Sequence, residues 1–288
     1  MGHVRGGRIA YAHVGNGDRL QIYTMTATGA DRRRLTSGSR YSSYDPAYSP
    51  DGKRIAFVRA DKASPDIWTM NADGTHKRAL TRTTGGQETD PTWSPGGNWI
   101  AFAVEGPTPA QGIWLLRADG KGNRVQVTSG NDTAPTWSPD GSEIAFQRND
   151  PATQIDAILV VPTTGGPPVS VSSNPGVSDL DPAWSPDGSR ILFVSDRPDA
   201  VQLDVWTMSP NGTDVMRITN TPSRDEHDPA WSPNGRQIVY SGNGAFHGAS
   251  SSQIYVSDAN GTNRRKLTHA CGECAWINDD PSWQPLPG

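Results

Sequence analysis

The chain has 288 residues, a net charge of −4 and an isoelectric point near 5.8. This mild acidity argues against a nucleic-acid partner, because nucleic-acid-binding surfaces are usually basic. The absence of any long apolar stretch argues against membrane insertion, and no signal peptide precedes the first predicted strand.

The first predicted elements, after a tail at residues 1–6, are three short strands at 8–11, 20–25 and 32–36. The next unit predicts four strands, A to D, at 46–50, 54–59, 67–71 and 77–81. These runs are rich in Ile, Val, Phe, Trp and Thr, and Gly, Asn and Asp residues separate them. Such runs are typical of antiparallel strands joined by tight turns.

The same unit then recurs along the chain with a period of about 45 residues. Its marker is Asp45-Pro46-Ala47-Tyr48-Ser49-Pro50-Asp51-Gly52, and related copies begin at Asp90, Ala134, Asp181, Asp228 and Asp280. Four-stranded units at this spacing are the blades of a β-propeller. Helical repeats would need a 3.6-residue apolar pattern, which is absent.

The two ends of the chain complete each other. The N-terminal strands lack a strand A, and the last predicted element, at 281–285, is a strand A with nothing after it. Joined in space, they would complete one blade and remove the free sheet edges at the seam. The sequence therefore predicts an all-β, six-bladed propeller of four-stranded antiparallel blades, as one domain over residues 7–286.

The repeat also resembles that of a known family. The segment at 181–188 reads Asp-Pro-Ala-Trp-Ser-Pro-Asp-Gly, and the second unit continues with Ile55-Ala56-Phe57, Ile67-Trp68-Thr69-Met70 and Gly74-Thr75. This pattern is similar to the TolB-like propeller repeat over about residues 7–286. The resemblance implies a six-bladed propeller, most often with a binding role, and favours a periplasmic or extracellular location. Related propellers are attached to some peptidases and lyases.

Strand A is the innermost strand of a propeller blade, so the repeated Asp should lie near the central channel. The five residues concerned are Asp45, Asp90, Asp181, Asp228 and Asp280, with Ala134 in the sixth blade. In one interpretation, each Asp accepts backbone N–H groups and fixes the turn before its strand. In the other, the five carboxylates bind a divalent cation, Ca²⁺ or Mg²⁺, or a cationic partner. The two interpretations are compatible.

Further candidate ligand-binding residues precede these strands or lie in irregular connections. They are Glu88, Glu226, His227, Phe246 and Trp276. His227 is open to interpretation as a metal ligand, a general base or neither. Phe246 belongs to a Gly/Ser-rich segment at 242–252 that the sequence predicts as a loop.

Cys271 and Cys274 are the two cysteines of the chain. A local disulfide is favoured, with free thiols and metal or redox chemistry as alternatives. A zinc site normally has four ligands, and His269 brings this group only to three.

The leading functional hypothesis is a monomeric, non-enzymatic scaffold that binds a protein, peptide or cationic ligand at the acidic mouth of the channel. A metal-assisted lyase or hydrolase with its site in the mouth is one alternative. A sensor domain of a longer protein is another. The chain contains no nucleophile elbow, zinc-protease helix motif or phosphate-binding loop.

Overall fold

The computed structural model describes residues 7–14, 19–61, 64–83, 86–106, 110–172, 174–197, 202–222, 224–246, 249–269 and 277–285. These residues form six four-stranded antiparallel sheets, arranged as the blades of one propeller, and they contain no helix. Accordingly, no described segment is a helix able to span a bilayer. The predicted fold class is confirmed.

Each blade has its four strands side by side, in order from the inner to the outer edge. Blade 1 contains β24 (Ile277–Trp283), β1 (Arg8–Val14), β2 (Gln21–Thr26) and β3 (Arg33–Arg34). Blade 2 contains β4 (Ser42–Tyr48), β5 (Arg54–Ala60), β6 (Pro65–Asn71) and β7 (Arg78–Ala79). Blade 3 contains β8 (Gln87–Trp93), β9 (Trp99–Glu105), β10 (Gly112–Arg117) and β11 (Val125–Gln126). Blade 4 contains β12 (Asp132–Trp137), β13 (Glu143–Asp150), β14 (Ile155–Pro162) and β15 (Val169–Ser170). Blade 5 contains β16 (Asp179–Trp184), β17 (Ile191–Ser195), β18 (Asp204–Met208) and β19 (Met216–Arg217). Blade 6 contains β20 (Asp225–Trp231), β21 (Gln237–Phe246), β22 (Ala249–Asp258) and β23 (Arg265–Lys266).

The inner strands are longer than predicted and carry an irregularity. The sequence predicts the first of them from residue 46, whereas β4 begins at Ser42. Its pairing with β5 shifts register between Tyr44 and Ala47, and the corresponding shift recurs in the other five blades. Proline donates no ladder hydrogen bond and is found in sheets at edges or bulges. The repeated Asp-Pro therefore forms a bulge within the strand, and the prediction that it opens a preceding turn is wrong.

The ring closes through the two ends of the chain, as predicted. Trp283 of β24 lies opposite Ile9 of β1. Gln284 then replaces the Ser found at this position in the other repeats and extends the closure. Its backbone N–H donates to the Arg8 carbonyl at 2.7 Å, and its side chain accepts from the Arg8 N–H and donates to the Gly52 carbonyl. The last strand is thereby tied to blades 1 and 2.

The repeated Trp residues pack between neighbouring blades. Trp93, at the end of β8, is 6% exposed and packs against Ala56 and Val58 of blade 2. Its indole N–H donates to the Ala47 carbonyl of β4 at 3.1 Å. Trp137 and Trp231 make the same bond to their preceding blades, at 3.3 and 3.1 Å. Each such Trp links two inner strands and buries a large apolar area between them.

The segment at 242–252 is mostly strand instead of the predicted loop. β21 and β22 pair from Gln237 and Asp258 as far as Phe246 and Ala249, which makes this the longest hairpin among the described residues. Small residues such as Gly242, Ser251 and Ser252 leave the backbone pairing intact. The Gly/Ser composition indicated a loop because it is rare in strands, but the ladder continues through it.

Candidate functional site

The five repeated Asp residues lie around the central channel, each in the bulge of an inner strand. Their φ angles are between 48° and 54°, and Ala134 has the same conformation at 49°. This left-handed region is uncommon for residues other than Gly, and Asp and Asn tolerate it best. The bulge thus places a carboxylate on the ring in five of the six blades.

The carboxylates join consecutive blades through backbone hydrogen bonds. Asp45 Oδ2 accepts the N–H of Asp90 at 3.2 Å, and Asp280 Oδ2 accepts the N–H of Asp45 at 3.2 Å. Asp181 Oδ2 likewise accepts the N–H of Asp228 at 3.3 Å. These three Asp residues do accept backbone N–H groups as expected, but the donor belongs to the next blade and not to a local turn.

Ala134 interrupts this series, and Gln147 compensates for the missing carboxylate. Asp90 Oδ2 accepts the N–H of Ala134 at 3.1 Å, but Ala134 has no side-chain oxygen to offer the following blade. Gln147 Oε1, from β13, accepts the Asp181 N–H at 3.3 Å instead. Gln147 Nε2 donates to Asp156 at 3.0 Å, which fixes the orientation of the amide. The inter-blade bond is therefore kept in blade 4 without a charge on the ring.

Enclosure in the channel favours the protonated form of these carboxyl groups. Burial is the largest cause, followed for Asp45 and Asp228 by a neighbouring ring carboxylate, and the pKa of both groups is raised well above its ordinary value. Burial and the carboxylate of Asp45 also raise the pKa of Asp280 strongly, and the pKa of Asp90 rises to about 6. A cationic group placed in the ring would lower these pKa values again.

The ring encloses a small cavity of about 200 Å³, lined by the Asp residues, Ala134 and the six prolines that follow them. No group of three or more His, Cys, Asp or Glu side chains among the described residues is placed to hold a metal ion. The cavity would accommodate a primary amine or a water cluster. Ca²⁺ or Mg²⁺ in the ring stays a prediction.

His227 lies beside this ring. It immediately precedes Asp228 in β20 and pairs in register with Ser241 of β21. Burial raises the pKa of Asp181, and the electrostatic interaction with His227 offsets part of this rise. Ser241 Oγ donates to Asp228 Oδ2 at 3.3 Å. The structure thus brings His227 together with two of the predicted carboxylates.

Glu88 and Glu226 lie inside blades and not at the surface. Glu88 is fully buried and forms an ion pair with Arg124, while Glu226 is 1% exposed and accepts hydrogen bonds from Thr219 and Thr221. The equivalent Asp132 and Asp179 are also buried and pair with Arg148 and Arg197. Glu88, Asp132 and Asp179 thereby connect the start of an inner strand to an arginine of the same blade, and Glu226 connects it to the segment that leads from blade 5.

The family model that matches the chain is described as the TolB beta propeller domain. It matches twice, over residues 4–120 and 113–285, and so covers nearly the whole chain. The protein belongs to the TolB propeller family. No curated protein matches the chain in a sequence comparison.

Solved TolB structures share the fold of this TolB-family propeller. TolB from Acinetobacter baumannii is 24% identical with a TM-score of 0.80, and the match covers 97% of this chain and 67% of that one. A protein assigned as TolB from Agrobacterium tumefaciens is 18% identical with a TM-score of 0.71, covering 97% and 99%. Hydrazine synthase from Kuenenia stuttgartiensis is 15% identical with a TM-score of 0.74, covering 98% and 48%. Peptidases and lyases with similar propellers also match.

Several predicted site residues fall outside the part of this TolB-family chain that the structure describes. Trp276, Cys271 and Cys274 belong to the undescribed residues between 269 and 277, so the disulfide stays a prediction. Phe246 is the last residue of β21, and its side chain likewise lies outside the described part.

One feature that sequence reasoning missed is a large pocket of mixed polar and apolar lining, with a volume of about 910 Å³. Connections of blade 4 and the start of blade 5 form it, on the face where the inner strands begin. Gln111 donates to Asn131 at 2.9 Å and Asn131 to Asn149 at 3.3 Å, so a ladder of amides runs along its wall. Asp156, which orients Gln147, also lines it. The departure of Ala134 from the repeat was the one signal that pointed to this blade.

Proposed function

We propose that this protein is a non-enzymatic binding propeller that recognises a protein or peptide segment on the face where its inner strands begin. A cationic group of that segment would lie at the carboxylate ring. The observation that carries the proposal is the series of five inter-blade bonds that runs from Asp280 to Asp228 around the channel, so that five carboxylates line one cavity at fixed positions. The TolB propeller fold supports a protein-binding scaffold in general.

The neighbouring pocket supports a peptide as the ligand. Its amide ladder offers donors and acceptors of the kind that pair with an extended backbone, and its Pro151, Ile155 and Val177 offer apolar contact. Gln147 and Asp156 connect this pocket to the ring. A segment that lies in the pocket could therefore extend a lysine side chain or a terminal amine towards the carboxylates.

The proposal also includes a divalent cation as an alternative ligand of the carboxylate ring. Oxygen ligands suit Ca²⁺ or Mg²⁺. If either binds there, its addition should raise the melting temperature and a chelator should lower it. Unchanged melting under both conditions would remove the metal from the proposal and leave the peptide part standing.

The peptide part is tested with three versions of one short labelled peptide that carry lysine, glutamine or glutamate at the same position. Only the lysine version should bind measurably, and added salt should weaken it. The double change Asp181→Asn and Asp228→Asn should weaken that binding about tenfold or more. Asp187→Asn, in the turn between the two inner strands of blade 5, is the matched control. Equal binding of all three peptides would overturn the proposal.

We also propose a periplasmic or extracellular location, which membership of the TolB propeller family supports. Fractionation of cells that express the native gene, with a cytoplasmic marker alongside, would check it. Recovery of the protein with that marker would contradict the location.

A further inference from the structure

A second groove lies on the opposite face, between blades 3 and 4, with a volume of about 460 Å³. The turns that connect the two inner strands of each blade form its rim. Trp99, Leu115, Val125 and Trp137 form its apolar lining. Among the described residues that line it, Asp140 is the one that carries a charge.

At this groove, blade 3 lacks an arginine that blades 1, 2 and 5 have. The residue directly before the first buried Ile of the second strand is Arg8, Arg54 and Arg190 in blades 1, 2 and 5, but Trp99 in blade 3. Arg8 and Arg190 donate to Thr24 and Thr207 at 3.1 and 3.2 Å. In blade 3 the position of that Thr is occupied by Leu115. Both members of the polar pair are therefore apolar here.

A second arginine is missing from the outer strand. Arg78 of blade 2 donates to the carbonyls of Ala118 and Asp119 in blade 3, both at 3.0 Å, and so spans the interface between the two blades. The equivalent residue of blade 3 is Val125, which is 49% exposed. Arg78 covers this part of the interface between blades 2 and 3. The corresponding part of the interface between blades 3 and 4 is left open.

The preceding interface shows which group suits such a groove. Between blades 2 and 3, the guanidinium of Arg54 lies 4.5 Å from the ring centre of Trp93. Trp137 is the counterpart of Trp93 one blade further on, and no arginine of blade 3 occupies the place of Arg54. Arg117, which lies 5.8 Å from the ring of Trp99, does not line the groove.

The negative charge of the groove also suits a guanidinium group. Asp140 is exposed at the rim, and hydrogen bonds from Ser138 and Ser142 keep its pKa at about 2, so it is anionic at neutral pH. Leu115 and Val125 suit the aliphatic stem of a long cationic side chain. Guanidinium groups stack on indole rings more readily than other cations of proteins do.

We propose that the groove between blades 3 and 4 binds an arginine side chain of a protein partner, in the position that the Arg54 guanidinium holds against Trp93. This site is separate from the carboxylate ring and lies on the other face of the propeller. The protein would then hold partners on both faces.

The test uses a capped Gly-Arg-Gly peptide and its citrulline counterpart, which has the same shape without the charge. Binding is followed through the indole N–H resonances of Trp99 and Trp137. The arginine peptide should shift both signals, and the citrulline peptide should bind about tenfold more weakly or not at all. Equal binding of the two peptides, or shifts confined to other Trp residues, would overturn the proposal.

Two sets of variants locate the site. Asp140→Asn should weaken binding several-fold while the turn stays folded, since Asn234 makes the same turn bonds in blade 6. Asp187→Asn, the equivalent change in blade 5, should leave binding unchanged. Trp99→Arg with Leu115→Thr would place an internal arginine in the groove, as in blade 2, and should abolish binding. Retained binding in that double variant, with a normal melting temperature, would also refute the proposal.

Discussion

The carboxylate of Asp90 accepts a hydrogen bond from the backbone N–H of Ala134 in the next blade, at 3.1 Å. This bond joins the last Asp before the interruption to the one residue that breaks the series. It shows that the ring joins the carboxylate of one blade to the backbone of the next, so the bond from blade 3 is kept although residue 134 has no carboxylate. Blade 4 therefore adds no charge to the channel at this position.

The first prediction concerns Asp90 and pH. Its pKa is 3.8 in the unfolded chain and about 6 in the folded protein, because burial raises it. Between these values the unfolded state loses its proton first, so the free energy of unfolding falls as pH rises through the window. Asp90→Asn keeps an acceptor for the Ala134 N–H and removes the fall in the free energy of unfolding with rising pH.

We expect Asp90→Asn to raise the free energy of unfolding at pH 7 by about 1 to 3 kcal/mol, with the gain shrinking towards pH 4. Urea unfolding at both pH values measures it. A variant that is equally less stable at both would show that the side chain acts through its hydrogen bond alone.

The second prediction concerns the interruption. Ala134→Asp adds a carboxylate next to that of Asp90 and competes with Gln147 for the Asp181 N–H. Repulsion in the channel should destabilise the protein by about 1 to 3 kcal/mol at pH 7 and less at pH 4. Ala134→Asn has the same size without the charge and should show no such pH dependence. Thermal melting of both variants at the two pH values measures the effect. The same change of melting temperature with pH in both variants would contradict the prediction of charge repulsion.

The third prediction concerns the buried acids. Arg124→Met leaves the fully buried Glu88 without its cation and should cost about 2 to 3 kcal/mol, since Arg124 itself is partly exposed. Arg33→Ala removes an exposed ion pair with Asp31 and should cost less than about 1 kcal/mol. Burial already raises the pKa of Glu88, so acidification should protonate it and reduce the first effect. Chemical denaturation measures the free energy of unfolding of both variants. Equal losses of stability would argue against a stabilising ion pair between Arg124 and the buried Glu88.

The fourth prediction compares two repeated Trp residues. Trp93 Nε1 donates to the Ala47 carbonyl at 3.1 Å, whereas Trp184 Nε1 is buried and has no partner among the described residues. Trp93→Phe should therefore cost about 1 kcal/mol more than Trp184→Phe. Paired unfolding curves measure the difference. A larger loss from Trp184→Phe would show that packing area outweighs the hydrogen bond.

The repeat made the fold predictable but left the details of the ring hidden. Six copies of one motif and the incomplete units at the two ends were enough for six blades and for the closure of β24 on β1. The bulge at Asp45 was missed because Asp-Pro usually marks a turn, and only the partner strand reveals the shifted register. The burial of Glu88 was missed for a similar reason, since its Arg124 is 36 positions away in the chain.

The groove on the opposite face shows what a comparison between repeats can add once the structure is known. Trp99, Leu115 and Val125 are unremarkable apolar residues of strands when each is considered alone. They indicate a groove only when they are compared with Arg54, Thr69 and Arg78, the residues at the equivalent positions of the preceding blade. Sequence alone gives no reason to compare those three positions together.

The pairing of β24 with β1 also sets the order in which the molecule can be completed during translation. Blades 2 to 6 are each continuous in the chain, so each has all four strands once its own residues have left the ribosome. Blade 1 lacks its inner strand until residues 277–283 emerge, and until then β1 presents an unpaired edge. Unpaired edges in partly folded chains promote association with other chains. Within the propeller, the emergence of β24 is therefore the step that covers the free edge of β1.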